Sequence, residues 1–434
     1  MRLDPTHIQL VPSRLVAAKR KKKEDSPRVL ILLAKTTYRA NAFVEASRKL
    51  GLEISVGSNH QQSLSGLVPG SSLLLKPNNV EVSVEDIVRF HSSFPLDAIV
   101  AAEDAFCILA SAAAETIGLV HHSLEGVSAV RNKRTMREKL AGEEGRAIWF
   151  DAFDLSEDVK SIVGKVPFPC VVKPVSLSGS RGVMRCNNQE EFVAAWDRLE
   201  KLLMGDPGNK SDVFSGEILV EDYLDGKEIA VEGIMVQGSL HLIGIMDKPD
   251  LMDGPFFEET ILITPSRLPT KVLRNLVNRT EQIATILGLL DGPIHAEFRI
   301  KKEEISLLEI APRSIGGYCS RIFKFYPEST LEELILRHSL GMKINHFEKE
   351  NKSEGVFMLP VPKAGILKNV GRIEEALKID GIEDIEMTIP VGRKVVPLPE
   401  GNQYLGFMFA KGKDPSSVES SLREAFSILE LEIQ

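Results

Sequence analysis

The sequence predicts a multidomain chain in which an α/β unit leads into α+β units, and three observations carry that prediction. A short β-rich apolar run, RVLILLAK at 28–35, precedes a helical pattern and then a second strand. From about Ile218 the strand-like runs are separated by tight-turn signals, Asp225-Gly226 and Gly238, which mark antiparallel pairing. The chain's 434 residues, 43% of them hydrophobic, exceed what one core organises, so about two to four domains are expected.

Taken in order, AKRKKKEDSP (18–27) is a charge run ending in proline and reads as a solvated tail or linker over 1–27, with a localisation or anionic-surface role as the alternative. RANAFVEASRKL then forms a helix closing at Gly51, and LDAIVAA (96–102) leads into EDAFCILASAAAETIGL (103–119), a helix closing at Gly118. These elements make 28–128 a small α/β domain. Its first loop, AKTTYRAN, lacks G-x-G-x-x-G, which argues against a dinucleotide site.

The next unit spans 129–345, with a first part to about 215 and an antiparallel body over about 216–345. RNLVNRTEQIATILGLL (274–290) is helical, and PIHAEFRI (293–300) and ISLLEI (305–310) are strands. Residues 346–434, with SEGVFMLPVPKAGIL and the closing helix SSVESSLREAFSILE, form a C-terminal α+β domain.

A formal net charge of -8 argues against a nucleic-acid surface, which needs clustered positive charge, and favours small-molecule substrates. The four cysteines, Cys107, Cys170, Cys186 and Cys319, have neither zinc nor disulfide spacing. No apolar run reaches the roughly 18 residues needed to span a bilayer, and there is no apolar secretory h-region. The expectation is a cytoplasmic protein without membrane contact, with a homodimer left open.

Two carboxylates in this pattern need an explanation. On a strand, His295, Glu297 and Arg299 share one face while Ile294, Ala296, Phe298 and Ile300 share the other. If KKEE turns the chain so that Lys301 pairs with Ile305, Glu297 lies opposite Glu309. Facing like charges destabilise a sheet unless one is protonated or a cation bridges them. Oxygen ligands suit Mg2+ or Mn2+, and magnesium commonly arrives with substrate phosphates. The competing reading is two solvated edge residues, or a one-residue slip that turns one of them away. Arg313 and the pair Gly316-Gly317 follow in EIAPRSIGG, a planar cation and a place for close ligand approach.

VVKPVSLSGSRGV (171–183) places Lys173 before Gly179 and Gly182, the reverse of the Walker order, so it is not a P-loop. A strand lysine followed by a Ser/Gly loop suggests a flap whose backbone N–H groups close over phosphates.

Together with RNKRTMREKL, VEDYLDGKE, and HAEFRI followed by LLEIAPR, this stretch resembles the ATP-grasp superfamily of carboxylate–amine or carboxylate–thiol ligases from about residue 28 onward. The resemblance implies an ATP-grasp fold with an N-terminal pre-ATP-grasp domain, and ATP and Mg2+ (or Mn2+) as cofactors. It implies that Lys133 and Lys173 contact phosphates and that Ser178, Gly179, Ser180 and Gly182 form the flap. It assigns Glu221 and the Leu224 backbone to adenine, Glu228 to ribose, Glu297 and Glu309 to magnesium, and Arg313 to the transferred phosphoryl group or the substrate carboxylate.

The family commonly shows E-x-N-x-R; here Ala311 stands at the Asn position and offers no side-chain oxygen, which puts a second metal in question. FFEETILITPS (256–266) and the C-terminal tail are similar to L-amino acid ligases that make dipeptides. By that likeness Glu259 meets the amino group of the first amino acid, although Leu262 stands where those ligases often carry His.

The implied reaction is phosphorylation of a substrate carboxylate by ATP to an acyl phosphate, then attack by an amine. Positioning and cations, among them Lys173 and Arg313, do most of the catalytic work in such transfers. His295 is either a base for the amine proton or a support for a carboxylate. Two rival functions stay open: an ATP-grasp carboxylase or nucleotide-biosynthesis ligase, and an ATP-binding module without catalysis.

Overall fold

The computed structural model describes residues 26–35, 37–61, 68–143, 148–205, 216–326, 329–344, 348–349 and 352–434. The basic tail lies outside the described residues apart from Ser26 and Pro27.

The chain opens with a four-stranded parallel sheet, in the order Ser72–Leu74, Glu53–Ser58, Arg28–Leu32, Ala98–Ala101. Its central strand is apolar at consecutive positions because both of its faces are covered. Leu30, Leu32 and Ile99 pack with Ile87, Phe106, Leu109 and Ala113 of the helices Val80–Ser93 and Asp104–Ile117. Val29, Ile31, Ala98 and Val100 pack instead with Ala230, Ile234, Leu334 and Phe407, so this unit shares a core with the rest of the protein. The predicted helix ends hold: Gly51 and Gly118 take left-handed φ of 67° and 75°. The helix Val80–Ser93 went unread in the sequence, although Asn79 caps it by accepting from the Val82 N–H at 3.2 Å.

Two antiparallel sheets follow. The small one runs Phe150–Asp154, Glu217–Asp222, Cys170–Pro174, Met184–Cys186. Its outer face packs on the helix Gln189–Gly205 through Phe192, Trp196 and Leu199. The large sheet has eight strands in the order Glu304–Ala311, Gly292–Lys301, Lys227–Val236, Ser239–Asp247, Ile261–Thr264, Ser353–Leu359, Gly406–Gly412, Ile382–Met387.

This topology corrects the reading of Asp225-Gly226 as a hairpin turn within one sheet. Glu217–Asp222 pairs with Phe150–Asp154 and Cys170–Pro174, whereas Lys227–Val236 pairs with its neighbours in the large sheet, so 223–226 is a crossing between sheets. The crossing passes close to the large sheet: a Cβ on Gly226, at φ 121°, would lie 2.5 Å from the Ile300 carbonyl oxygen. The change of sheet therefore falls after Asp222, not near 215. The C-terminal strands Ser353–Leu359, Gly406–Gly412 and Ile382–Met387 continue the same large sheet rather than starting a separate one.

Alternation along the large sheet separates two chemistries. Ile229, Val231, Ile294, Ala296 and Phe298 face Leu276, Ile283 and Ala284 of the helix Thr270–Ile286. Glu228, Glu232, His295, Glu297 and Arg299 sit on the opposite face, with Glu228 paired to Arg299 and Glu232 to His295 in the strand register. No helix among the described residues is long and apolar enough to cross a membrane.

Candidate active site

The opposed carboxylates come about by an unexpected route. Lys301 pairs with Glu304, so the hairpin loop is one residue shorter than expected, with Lys302 at φ 60°. The ladder then slips between Glu297 and Phe298, where Leu307 pairs with Phe298 and Glu309 with Glu297. The extra residue is a β-bulge, and it reverses the phase of the strand that follows. Without it Glu309 would fall on the apolar side with Leu307; with it, Glu309 shares the polar face with Glu297.

That face forms the floor of a cleft of about 610 Å³. Every sequence-predicted site residue lines it except Gly182: Lys133, Lys173, Ser178, Gly179, Ser180, Glu221, Leu224, Glu228, Glu259, Glu297, Glu309, Arg313, Gly316 and Gly317. Gly182 stands just behind the loop at φ 74°, where a Cβ would meet Pro174 and Leu199 at 2.9 Å.

On one wall, Lys173 Nζ contacts Glu221 Oε1 at 2.5 Å. Arg137 Nε donates to Glu221 Oε2 at 2.9 Å. Burial opposes ionisation of Glu221, but Arg137 and Lys173 overcome it and bring its pKa down to about 2. Burial lowers the pKa of Lys173, partly offset by Glu221, and Arg137 and Lys133 push the same way as burial. Lys133 opens the helix Lys133–Leu140, whose first turn is capped by the Asn132 side chain. Its Nζ donates to the Leu177 carbonyl at 2.7 Å and lies 3.3 Å from Glu309 Oε2. The root of the glycine loop is thereby tied to the acidic hairpin.

On the floor, Lys248 lies among carboxylates, its Nζ at 2.8 Å from Glu228, 2.5 Å from Glu259 and 3.0 Å from Glu297. Burial disfavours its charge, but the three carboxylates win and hold its pKa well above the usual lysine range. Glu259 is pushed up to about 7, by burial first and then by Glu297 and Glu228, against the pull of Lys248. His295 spans Glu232 at 3.0 Å and Glu297 at 3.2 Å. Those two carboxylates outweigh its burial and raise it to about 9, so at neutral pH it is a cation with no lone pair for a proton. At the far side Arg313 reaches Asp104 at 2.5 Å, and Arg131 shares that carboxylate at 3.2 Å. Burial opposes the Asp104 charge, yet Arg313 and Arg131 hold it well below the usual carboxylate range.

Glu297 and Glu309 offer carboxylate oxygens from paired strands into the cleft, a donor set that fits a hard divalent cation. Glu228, Glu259 and Glu297 also bring ligand oxygens within 4.8 Å of one another, but Lys248 already contacts all three. Ala311 is buried at the edge of the cleft.

Residues 166–322 match the ATP-grasp domain family, and residues 357–434 match the family described as L-amino acid ligase C-terminal domain 2. The chain thus carries an ATP-grasp domain followed by a C-terminal domain of the L-amino acid ligase kind. It is 27% identical to the alanine–anticapsin ligase of Bacillus amyloliquefaciens over 54% of this chain and 52% of that protein, so the match spans about half the relative's length. It is 26% identical to dapdiamide A synthase of Enterobacter agglomerans over 70% of this chain and 72% of that one. The crystal structure of an L-amino acid ligase from Bacillus licheniformis superimposes with a TM-score of 0.79 at 23% identity, covering 94% of this chain and 99% of that one, so the fold is shared.

Sequence reasoning missed four residues of this ATP-grasp cleft and its support. Arg137 lies four residues beyond Lys133 on one helix face, and Glu232 lies four beyond Glu228 on one strand face, so both were within reach of periodicity. Lys248 and Asp104 carried no such signal, because their partners are distant in sequence.

Proposed function

We propose that this protein uses ATP to join a carboxylate, that of an amino acid, to an amine through an acyl phosphate, releasing ADP and phosphate. The observation that carries the reading is the convergence of Lys133, Lys173, the Ser178–Ser180 loop and the facing pair Glu297/Glu309 on one cleft.

In this reading Lys133 and Lys173 receive the triphosphate, with backbone N–H groups of the Ser/Gly loop above it. Because the Glu221 carboxylate is committed to Arg137 and Lys173, we assign it to aiming Lys173. Adenine recognition then falls to the Leu224 backbone at the crossing, because the Asp222 and Tyr223 N–H groups already donate to the Trp149 and Pro169 carbonyls. Glu228 reaches the ribose, steadied by Arg299 at 2.9 Å and by Lys248. Glu297 and Glu309 would hold Mg2+, which supplies charge neutralisation for the transferred phosphoryl group. Arg313, fixed by Asp104, is placed beside Gly316 and Gly317 to hold the carboxylate being activated. Glu259 receives the ammonium of the first amino acid. Protonated His295 acts as a clamp on Glu297 and Glu232, so the attacking amine loses its proton elsewhere.

The test is ADP release across a matrix of amino acids, polyamines and small acids with Mg2+, repeated with Glu309→Ala. Turnover that needs an amino acid and collapses in the variant supports ligation. Equal turnover of both proteins on every substrate would sink it, and release that depends on bicarbonate would point to a carboxylase instead.

A further inference from the structure

The glycine loop is fastened from outside the cleft. Arg181 and Gly182, at its end, and Arg198, on the helix Gln189–Gly205, all reach one short C-terminal segment. The Gly182 N–H donates to the Pro399 carbonyl at 2.9 Å. Arg181 Nε donates to the Glu400 carbonyl at 3.1 Å. Arg198 contacts both carboxylate oxygens of Glu400 through Nε and Nη2, the latter at 2.8 Å. Arg198 also lies over the Phe256 ring at 4.8 Å, so its head is aimed before it meets the carboxylate.

From these contacts we infer that Glu400 is a positioning residue for the reaction: it latches the Ser/Gly loop in its closed place, while the next residues of the same segment wall the cleft. Asn402 and Tyr404 line the cleft together with Glu259 and Gly317, two and four positions after Glu400. A substrate that presses on Asn402 or Tyr404 therefore acts on the strand of chain that holds the loop.

Electrostatics give the latch its direction. The open pocket beside it, about 530 Å³, carries Arg181, Arg198, Lys201 and Lys394 against the single carboxylate of Glu400. With Glu400 neutralised, the cations repel one another and Arg198 loses the carboxylate it contacts. The base of the small sheet stays in place, because the Arg185 N–H to the Pro255 carbonyl at 2.9 Å and Arg185 Nη1 to the Asp253 carbonyl at 2.8 Å hold it independently. The latch therefore governs the loop and not the fold. It rests on the reading of the cleft as an ATP site, since a loop with no phosphates beneath it has nothing to cover.

The experiment compares the full-length protein with Glu400→Gln, and with the charge-swapped pair Arg198→Glu, Glu400→Arg, using a nonhydrolysable ATP analogue with Mg2+ as the probe. Hydrogen exchange of the segment containing Gly182 is read alongside the KM for ATP and the melting temperature. The expected result is faster exchange at Gly182 in Glu400→Gln by about fivefold, a matching rise in KM, an unchanged melting temperature, and partial recovery in the swapped pair. Equal protection in wild type and Glu400→Gln, with the analogue bound to both, overturns the latch alone. Failure of the wild type to bind the analogue overturns the ATP reading, and the latch with it.

Discussion

Lys173, which lines the cleft, and Lys248, which contacts the carboxylates of its floor, are almost equally buried, yet their surroundings drive them in opposite directions. Lys173 shares a single carboxylate with Arg137 and has Lys133 nearby, and its ammonium is easier to deprotonate than usual. Lys248 contacts three carboxylates, two of them shared with Arg299 and His295, and is held firmly protonated. Burial penalises both charges alike, so the difference comes from the neighbours. It teaches that the cleft is electrically divided. Around Lys133, Lys173 and Arg137 the cations outnumber Glu221 and Glu309, leaving attraction for an anion; around Lys248 the acids Glu228, Glu232, Glu259 and Glu297 outnumber their partners, leaving attraction for a cation or an ammonium.

Removing the more heavily committed lysine should do the most damage. Lys248→Met leaves three carboxylates together without their common cation, and a loss of about 3–5 kcal/mol is expected from the denaturant midpoint. Part of it should return on adding Glu259→Gln; an unmoved midpoint in Lys248→Met would show that the acids are relieved by solvent. Lys173→Met should shift the midpoint less, because Arg137 still holds Glu221. Its effect should appear in ADP release, together with that of Glu309→Ala, each losing on the order of 3 kcal/mol of transition-state stabilisation, roughly a hundredfold in rate.

A buried group without any counter-charge provides the control. His122 receives the Asp291 N–H on Nδ1 at 3.2 Å, so its proton sits on Nε2, which donates to the Pro293 carbonyl at 3.0 Å. Burial lowers its pKa to about 4, against a smaller upward pull from that carbonyl. The unfolded chain protonates near pH 6.5 while the native ring stays neutral, so stability falls as pH drops from 6.5 towards 4, by up to about 3 kcal/mol. Denaturant titrations at several pH values check this, and His122→Asn should flatten the profile over that window. The smallest effect expected is in Glu259→Gln, which keeps the volume and removes one charge from the acidic half. A rise of about tenfold in KM for the amino acid, with kcat preserved, is the outcome that fits a role in binding alone.

The parts legible in the sequence were those with a local cause. Apolar runs gave the central strands, glycines gave the helix ends at 51 and 118, and strand alternation put His295, Glu297 and Arg299 on one face. The opposition of Glu297 and Glu309 was expected from spacing, yet it is reached by two departures that offset each other, a shorter turn and a bulge. What escaped reading depends on the third dimension. Nothing near Asp225-Gly226 announces that the chain leaves one sheet for another, because the turn signal is the same in both cases. Lys248 looks like any lysine after a strand until the fold gathers Glu228, Glu259 and Glu297 around it.

The extra residue near Leu308 makes chain length itself part of the chemistry. Inserting a single amino acid between Leu308 and Glu309, with the bulge kept, would preserve both strands and their hydrogen-bonded partnership, while carrying the second acid through the sheet into the oily layer beneath the helix Thr270–Ile286. A protein lengthened in that way would keep both acids and lose their opposition.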